Sequence, residues 1–181
     1  MARDMTKGRI LPQMTAFAIP LILGNLFQIL YNATDSIIVG KFVGDDALAA
    51  VGTAGPIMNM AILFISGMCM GAGILMSTLY GAKDMKNLEK QISTTLIGGL
   101  VFSLLIAFLM IVFAVPILRL INSPEEIIGS AAIYLRVVFL GLIFTFVYNF
   151  LANTLRALGD SRTPLYFLVI SALLNVAGDL L

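Results

Sequence analysis

The sequence predicts an all-helical membrane protein, on three observations. Of its 181 residues, 60% are hydrophobic and only 12% are charged, with a mean hydropathy of +1.01. A soluble domain is about 25% charged, so this chain has too few charges to clothe a water-facing surface. Apolar runs of roughly 18 residues or more recur along the chain, as transmembrane helices do. The basic residues gather in alternate connecting segments, the pattern of a polytopic protein.

Five spans are expected, at residues 12–39, 48–79, 92–117, 128–154 and 164–181. The first follows Arg3, Lys7 and Arg9. It is too long for a signal-peptide core and lacks a small-x-small cleavage site, so it reads as an uncleaved helix. The first connection, with Gly40, Gly44 and Asp45-Asp46, is a short turn. The second span carries Gly52, Gly55, Asn59, Ser66, Gly73 and Ser77 on one narrow face, with Gly67 and Gly71 beside it. Small residues at this spacing let helices approach closely, so that face is expected to pack. Asn122-Ser123-Pro124-Glu125 reads as a turn into the fourth span, with the proline at the first helical position and acids in the first turn. Arg136 is expected one turn from the outer interface, where it can snorkel. Gly159-Asp160 and Thr163-Pro164 punctuate the last connection.

Arg3, Lys7 and Arg9, then Lys83, Lys86 and Lys90, then Arg156 and Arg162 fall on one side of this topology. Only Lys41 and Arg119 lie in the opposite loops. The positive-inside rule therefore puts the N-terminus in the cytoplasm of a multi-pass protein of the cell (inner) membrane. The chain stops inside its fifth apolar run with no exit loop, and is expected to be a truncated protein or an N-terminal piece of one. The absence of histidine removes imidazole metal sites and His-dependent catalysis, and the single cysteine, Cys69, permits no intrachain disulfide. No basic tail or patch suggests nucleic acid.

Two acids interrupt apolar runs: Asp35 near the end of the first and Asp179 near the end of the fifth. A carboxylate in hydrocarbon costs about 2.5–3.5 kcal/mol on insertion scales, so such residues are rare and mark ion or proton pathways. Asn25, Gln28, Asn32 and Asp35 fall within an arc of roughly 80° on the first helix. Ser171, Asn175 and Asp179 do the same on the fifth, within roughly 80°. Counting along each helix puts both acids in the outer half of the membrane. Facing one another, the two stripes would make one oxygen-rich pocket, and two adjacent carboxylates favour uptake of a proton or a cation. Pro20, in mid-span, is expected to bend the first helix or to act as its hinge. Tyr134, Thr145, Asn149 and Asn153 share one side of the fourth helix and either line a cavity or pack. Asn32-Ala33-Thr34 fits a glycosylation sequon but lies within a span. Paired membrane acids also suggest an intramembrane aspartyl protease. Asp35 follows Thr34, however, and Asp179 follows Val176-Ala177-Gly178, so neither protease motif is present.

Five stretches together carry a resemblance. They are Ile19-Pro20-Leu21-Ile22-Leu23-Gly24-Asn25, Leu30-Tyr31-Asn32-Ala33-Thr34-Asp35, Ala47-Leu48-Ala49-Ala50-Val51-Gly52, Tyr80-Gly81-Ala82-Lys83 and Arg156-Ala157-Leu158-Gly159-Asp160. In order and spacing they resemble the N-terminal half of the multidrug and toxic compound extrusion (MATE) family. The resemblance implies an antiporter of two six-helix lobes that expels organic cations and other drugs in exchange for H⁺ or Na⁺. It makes residues 1–181 a partial N-terminal lobe, with five helices of an incomplete six, and the remaining lobe a partner supplied by the full-length chain. It matches Asp35, Asn175 and Asp179 to the family's ion site, a candidate Na⁺ site. Tyr31 is matched beside it, Pro20 to the bending point of the first helix, and Tyr134 and Asn149 to residues lining the lobe; Gln28 and Asn32 belong to the same lining. The chain departs from the family at Gly178, where a branched apolar residue is usual, and at Leu180, where proline is common.

The expected function is cation-coupled antiport in the lipid bilayer, with no cofactor beyond the coupling ion and no enzymatic activity. A lipid-linked saccharide flippase or polysaccharide exporter of the related superfamily is the alternative. Such cavities tend to be basic, whereas Arg136 is the one basic residue within a span here.

Overall fold

The computed structural model describes residues 10–42 and 45–179. Side chains at 31, 32, 35, 36, 38–42, 45–48, 176 and 179 lie outside that description. Among the described residues every regular element is an α-helix: α1 (Ile10–Phe42), α2 (Asp45–Gly81), α3 (Met85–Leu120), α4 (Glu125–Leu140), α5 (Leu142–Ala157) and α6 (Arg162–Asp179).

By length and composition three of these helices can cross a membrane, the described parts being Ile10–Leu30, Ala49–Gly81 and Met85–Leu120. A fourth span follows if α4 and α5 count as one. The expected count of five spans is therefore approximate, and two elements account for the difference. The fourth span is a pair of helices bent by 42° at Gly141. The Gly141 N–H donates to both Val138 O (3.0 Å) and Val137 O (3.4 Å), a local tightening to the three-residue hydrogen bond. Glycine is a common site for such kinks. α6 is 18 residues long, and Arg162, Thr163, Asn175 and Asp179 dilute its apolar run.

Three helices end in the same way. Asp84 N–H donates to Leu79 O and Lys83 N–H to Tyr80 O; Ser123 N–H donates to Leu118 O and Asn122 N–H to Arg119 O; Asp160 N–H donates to Leu155 O and Gly159 N–H to Arg156 O. Each pair is the reciprocal closure of a Schellman motif, with the residue after the cap in the left-handed region. Those residues are Lys83 (φ 60°), Asn122 (φ 55°) and Gly159 (φ 88°). Asp84 also starts α3, since its carboxylate accepts from Asn87 N–H at 3.2 Å and Asn87 Nδ2 at 2.6 Å. At α4 the proline sits one place earlier than expected: Pro124 is the N-cap, and Glu125 and Glu126 occupy the first turn. There they complement the positive end of the helix dipole.

The chain divides into two compact units. One comprises Met1–Ile38, Gly71–Ser93 and Phe150–Leu181; the other comprises Val39–Met70 and Thr94–Asn149. In the second unit Ile65, Cys69, Leu118, Leu135, Phe139, Leu142 and Phe146 are almost fully buried. Outside that core, large apolar side chains such as Leu63, Ile97, Phe108 and Phe144 stay more than 60% exposed, as lipid-facing residues do. Of the glycines on and beside the expected α2 packing face, only Gly73 has a close neighbour: a Cβ there would meet Asn153 Cβ at 3.4 Å. At Gly52, Gly55, Gly67 and Gly71 the space within 4 Å is open.

Among the described glycines Gly99 makes the tightest contact. A Cβ at that position would overlap the Phe146 ring, and Phe146 has no exposed surface to move into. Gly99→Ala should therefore lower thermal stability by about 1–3 kcal/mol, the range for overpacking. Gly98→Ala, with nothing within 4 Å, should leave the melting temperature of the purified protein unchanged or slightly raised.

Candidate functional site

The candidate ion residues Asp35, Asn175 and Asp179 all belong to the first unit, on α1 and α6. α6 is launched by a polar knot. The Asp160 carboxylate, 8% exposed, accepts from the backbone N–H groups of Arg162 (3.0 Å) and Thr163 (3.1 Å), and from Thr163 Oγ1 at 2.8 Å. These donors satisfy the open first turn of the helix. The Thr163 backbone N–H foremost, with Thr163 Oγ1 and the Arg162 N–H, holds the Asp160 carboxyl below its ordinary value against the opposing effect of burial. Pro164 follows within the first turn, where it breaks no hydrogen bond.

α1 meets α6 at Gly24. A Cβ on this buried glycine would lie 3.5 Å from Leu168 Cδ2 and 3.7 Å from Leu165 Cδ1, in ordinary contact. The register above this contact is the same on both helices. Position 35 is eleven residues past Gly24, and position 179 is eleven past Leu168. Eleven residues are about 16 Å of rise and return to within roughly 20° of the starting face. Tyr31 and Asn175 stand seven residues past the same two contact points, also about 20° off that face. The side chains of Asp35, Asp179, Tyr31 and Asn32 lie outside the described residues, so their placement rests on the helical backbone alone.

Asn175 is described, and it is unusual. Its Oδ1 is buried and has no hydrogen-bond partner among the described residues. An unsatisfied buried acceptor costs about 1–3 kcal/mol, so an oxygen in this state suits a proton-bearing or cationic guest. Gln28 is exposed. Pro20 is buried within a helix that continues unbroken from Ile10 to Phe42.

Tyr134 and Asn149 fall in the second unit. Asn149 is engaged there: its Oδ1 accepts from Ser66 Oγ at 3.3 Å and its Nδ2 donates to Thr145 O at 2.9 Å. This is a helix-to-helix hydrogen bond between α2 and α5, the packing reading of that stripe. Two positions escaped the sequence reading of the site. Gly24 shows itself only as a small residue eleven places before Asp35, and Asp160 looked like a turn residue rather than the anchor of α6. Among the described residues no group of three or more Cys, Asp or Glu is placed to hold a metal.

The MatE family matches residues 20–181. This chain belongs to that family. It is 34% identical over 172 residues to the probable multidrug resistance protein YoeA of Bacillus subtilis, covering 95% of this chain and 37% of the relative. It is 35% identical over 176 residues to the probable multidrug resistance protein YpnP of the same organism, covering 96% and 39%. A MATE crystal structure in complex with MaD3S superimposes with a TM-score of 0.91 at 25% identity, covering 99% of this chain and 41% of that one. The chain thus spans about two fifths of the length of the relatives it matches. MATE proteins are multi-pass membrane transporters rather than enzymes, and the protease reading falls away.

If Asp160 anchors α6, Asp160→Ala should destabilise the purified protein by about 1 kcal/mol, the usual value of a lost N-cap. The lowered carboxyl also sets a pH dependence. Its stabilisation is complete above the unfolded value near 3.8 and is lost as pH falls through the lower folded value. Thermal melts from pH 5 to pH 2 should show this decline, and Asp160→Asn should lack that part of it.

Proposed function

We propose that the chain carries the ion-coupling site of a multidrug efflux antiporter of the inner membrane, with its N-terminus in the cytoplasm. The supporting observation is the register around Gly24. Alternating spans run α1 and α6 in the same direction, so equal counts above one contact bring positions 35 and 179 to one level on facing sides. The Asn175 oxygen, without a hydrogen-bond partner among the described residues, is one turn earlier on α6 than position 179.

The chemistry follows from charge. Two carboxylates facing each other in a low-dielectric setting repel strongly, and a proton or Na⁺ between them removes that cost. The outward-open site takes up H⁺ or Na⁺ at Asp35 and Asp179, with Asn175 as a neutral oxygen ligand. Neutralisation lets the pocket close, and α1, pivoting at Pro20, shifts against the rest of the lobe. Organic cation leaves outward, and the ion is then released to the cytoplasm. The membrane potential supplies about 2.3 kcal/mol per charge per 100 mV to this cycle. The drug cavity itself forms with a second lobe of the full-length protein.

The test is dye efflux from energised cells or everted vesicles carrying the full-length protein. Asp35→Asn and Asp179→Asn should each abolish gradient-driven efflux at normal expression, and Asn175→Ala should weaken it by about tenfold, as for one lost ion ligand. Efflux at the normal rate in Asp35→Asn would remove the acid pair from the mechanism.

A further inference from the structure

Arg136 lies well inside α4. It lies eleven residues past Glu125, the start of α4, which is three turns or about 16 Å along the helix. Its Nε donates to Ile111 O at 3.3 Å. Ile111 is nine residues before Leu120, the end of α3, or about 14 Å along that helix. Two helices thus give the same depth below the α3–α4 turn. Arg136 is the one charged residue between 127 and 155, so its backbone lies inside the apolar run, and its side chain is exposed.

A guanidinium has five N–H donors. The bond to Ile111 uses one, and Arg136 has no other bond or ion pair among the described residues. No acid stands near it in sequence: residues 90–124 and 127–159 contain neither Asp nor Glu. Glu126 is ten residues away toward the start of α4, about 15 Å, and Glu125 is engaged by Arg119 at 3.6 Å. Side chains on a helix lean toward its N-terminus, so Arg136 leans toward the headgroups beside the α3–α4 turn. The contact with Ile111, nearer that turn by count, agrees with this lean.

We propose that Arg136 binds the phosphodiester of a membrane phospholipid in the leaflet next to the α3–α4 turn. The Ile111 carbonyl holds the base of the guanidinium against α3, leaving the planar fork of Nη donors for two phosphate oxygens. The lipid in turn satisfies a charge that hydrocarbon alone would not tolerate.

The experiment is a phosphatidylglycerol titration of the purified full-length protein in mild detergent, read by native mass spectrometry. Arg136→Gln should bind the lipid about tenfold more weakly, as for one lost charge-assisted contact. Arg136→Lys, which keeps the charge, should fall in between, and Arg119→Gln, in the nearby turn, should bind like the parent. Millimolar inorganic phosphate should not compete. Unchanged lipid binding in Arg136→Gln would overturn the proposal. So would equal losses in Arg119→Gln, competition by free phosphate, or an ion pair between Arg136 and an acid elsewhere in the full-length protein.

Discussion

A polar group inside a bilayer persists only where some other group does the work of water, and this constraint organises the chain from end to end. Several of its helical hydroxyls meet the demand within their own helix. Thr34, Thr53 and Thr154 donate to Leu30 O, Ala49 O and Phe150 O, and buried Ser103 donates to Leu100 O. Ser66 and Asn149 meet it across a helix pair. Against that background the Asn175 Oδ1, buried and with no hydrogen-bond partner among the described residues, stands out. Two acids on the same helix faces sharpen the contrast, because a carboxylate is the costliest of these groups to leave alone.

Position follows from the helix ends. α6 starts where the Asp160 knot dictates, directly after the Schellman closure at Gly159, so its phase is set within one turn. Gly24 then allows α1 to lie against Leu165 and Leu168. Once a start and a contact are fixed, the 3.6-residue period carries every later residue to a defined height and face. In the proposed site the acids need no local device of their own, because positions 35 and 179 each stand eleven residues past the Gly24–Leu168 contact.

Much of this was legible in the sequence. The helical membrane class and the family followed from apolar runs, basic loops and five short motifs; the count of five spans was approximate. The acid stripes were visible because a charge in an apolar run has few innocent explanations. The break at Gly141 was not visible, because one glycine in a transmembrane run is ordinary and only packing decides whether it bends. The role of Lys83 was hidden because the left-handed cap usually falls to glycine, and Gly81 lies two residues away. Asn149 read as either lining or packing; its bond to Ser66 depends on which faces of two distant helices meet.

The central claim concerns proximity, and cross-linking tests it directly. With Cys69, the one native cysteine, replaced by serine, the pair Asp35→Cys and Asp179→Cys is treated in membranes with a short bifunctional thiol reagent. Helices packed about 8–10 Å apart should give an efficient link, as should Gly24→Cys with Leu168→Cys lower on the same interface. A chain that links at the lower pair and not at the upper one, or at neither, would contradict the account.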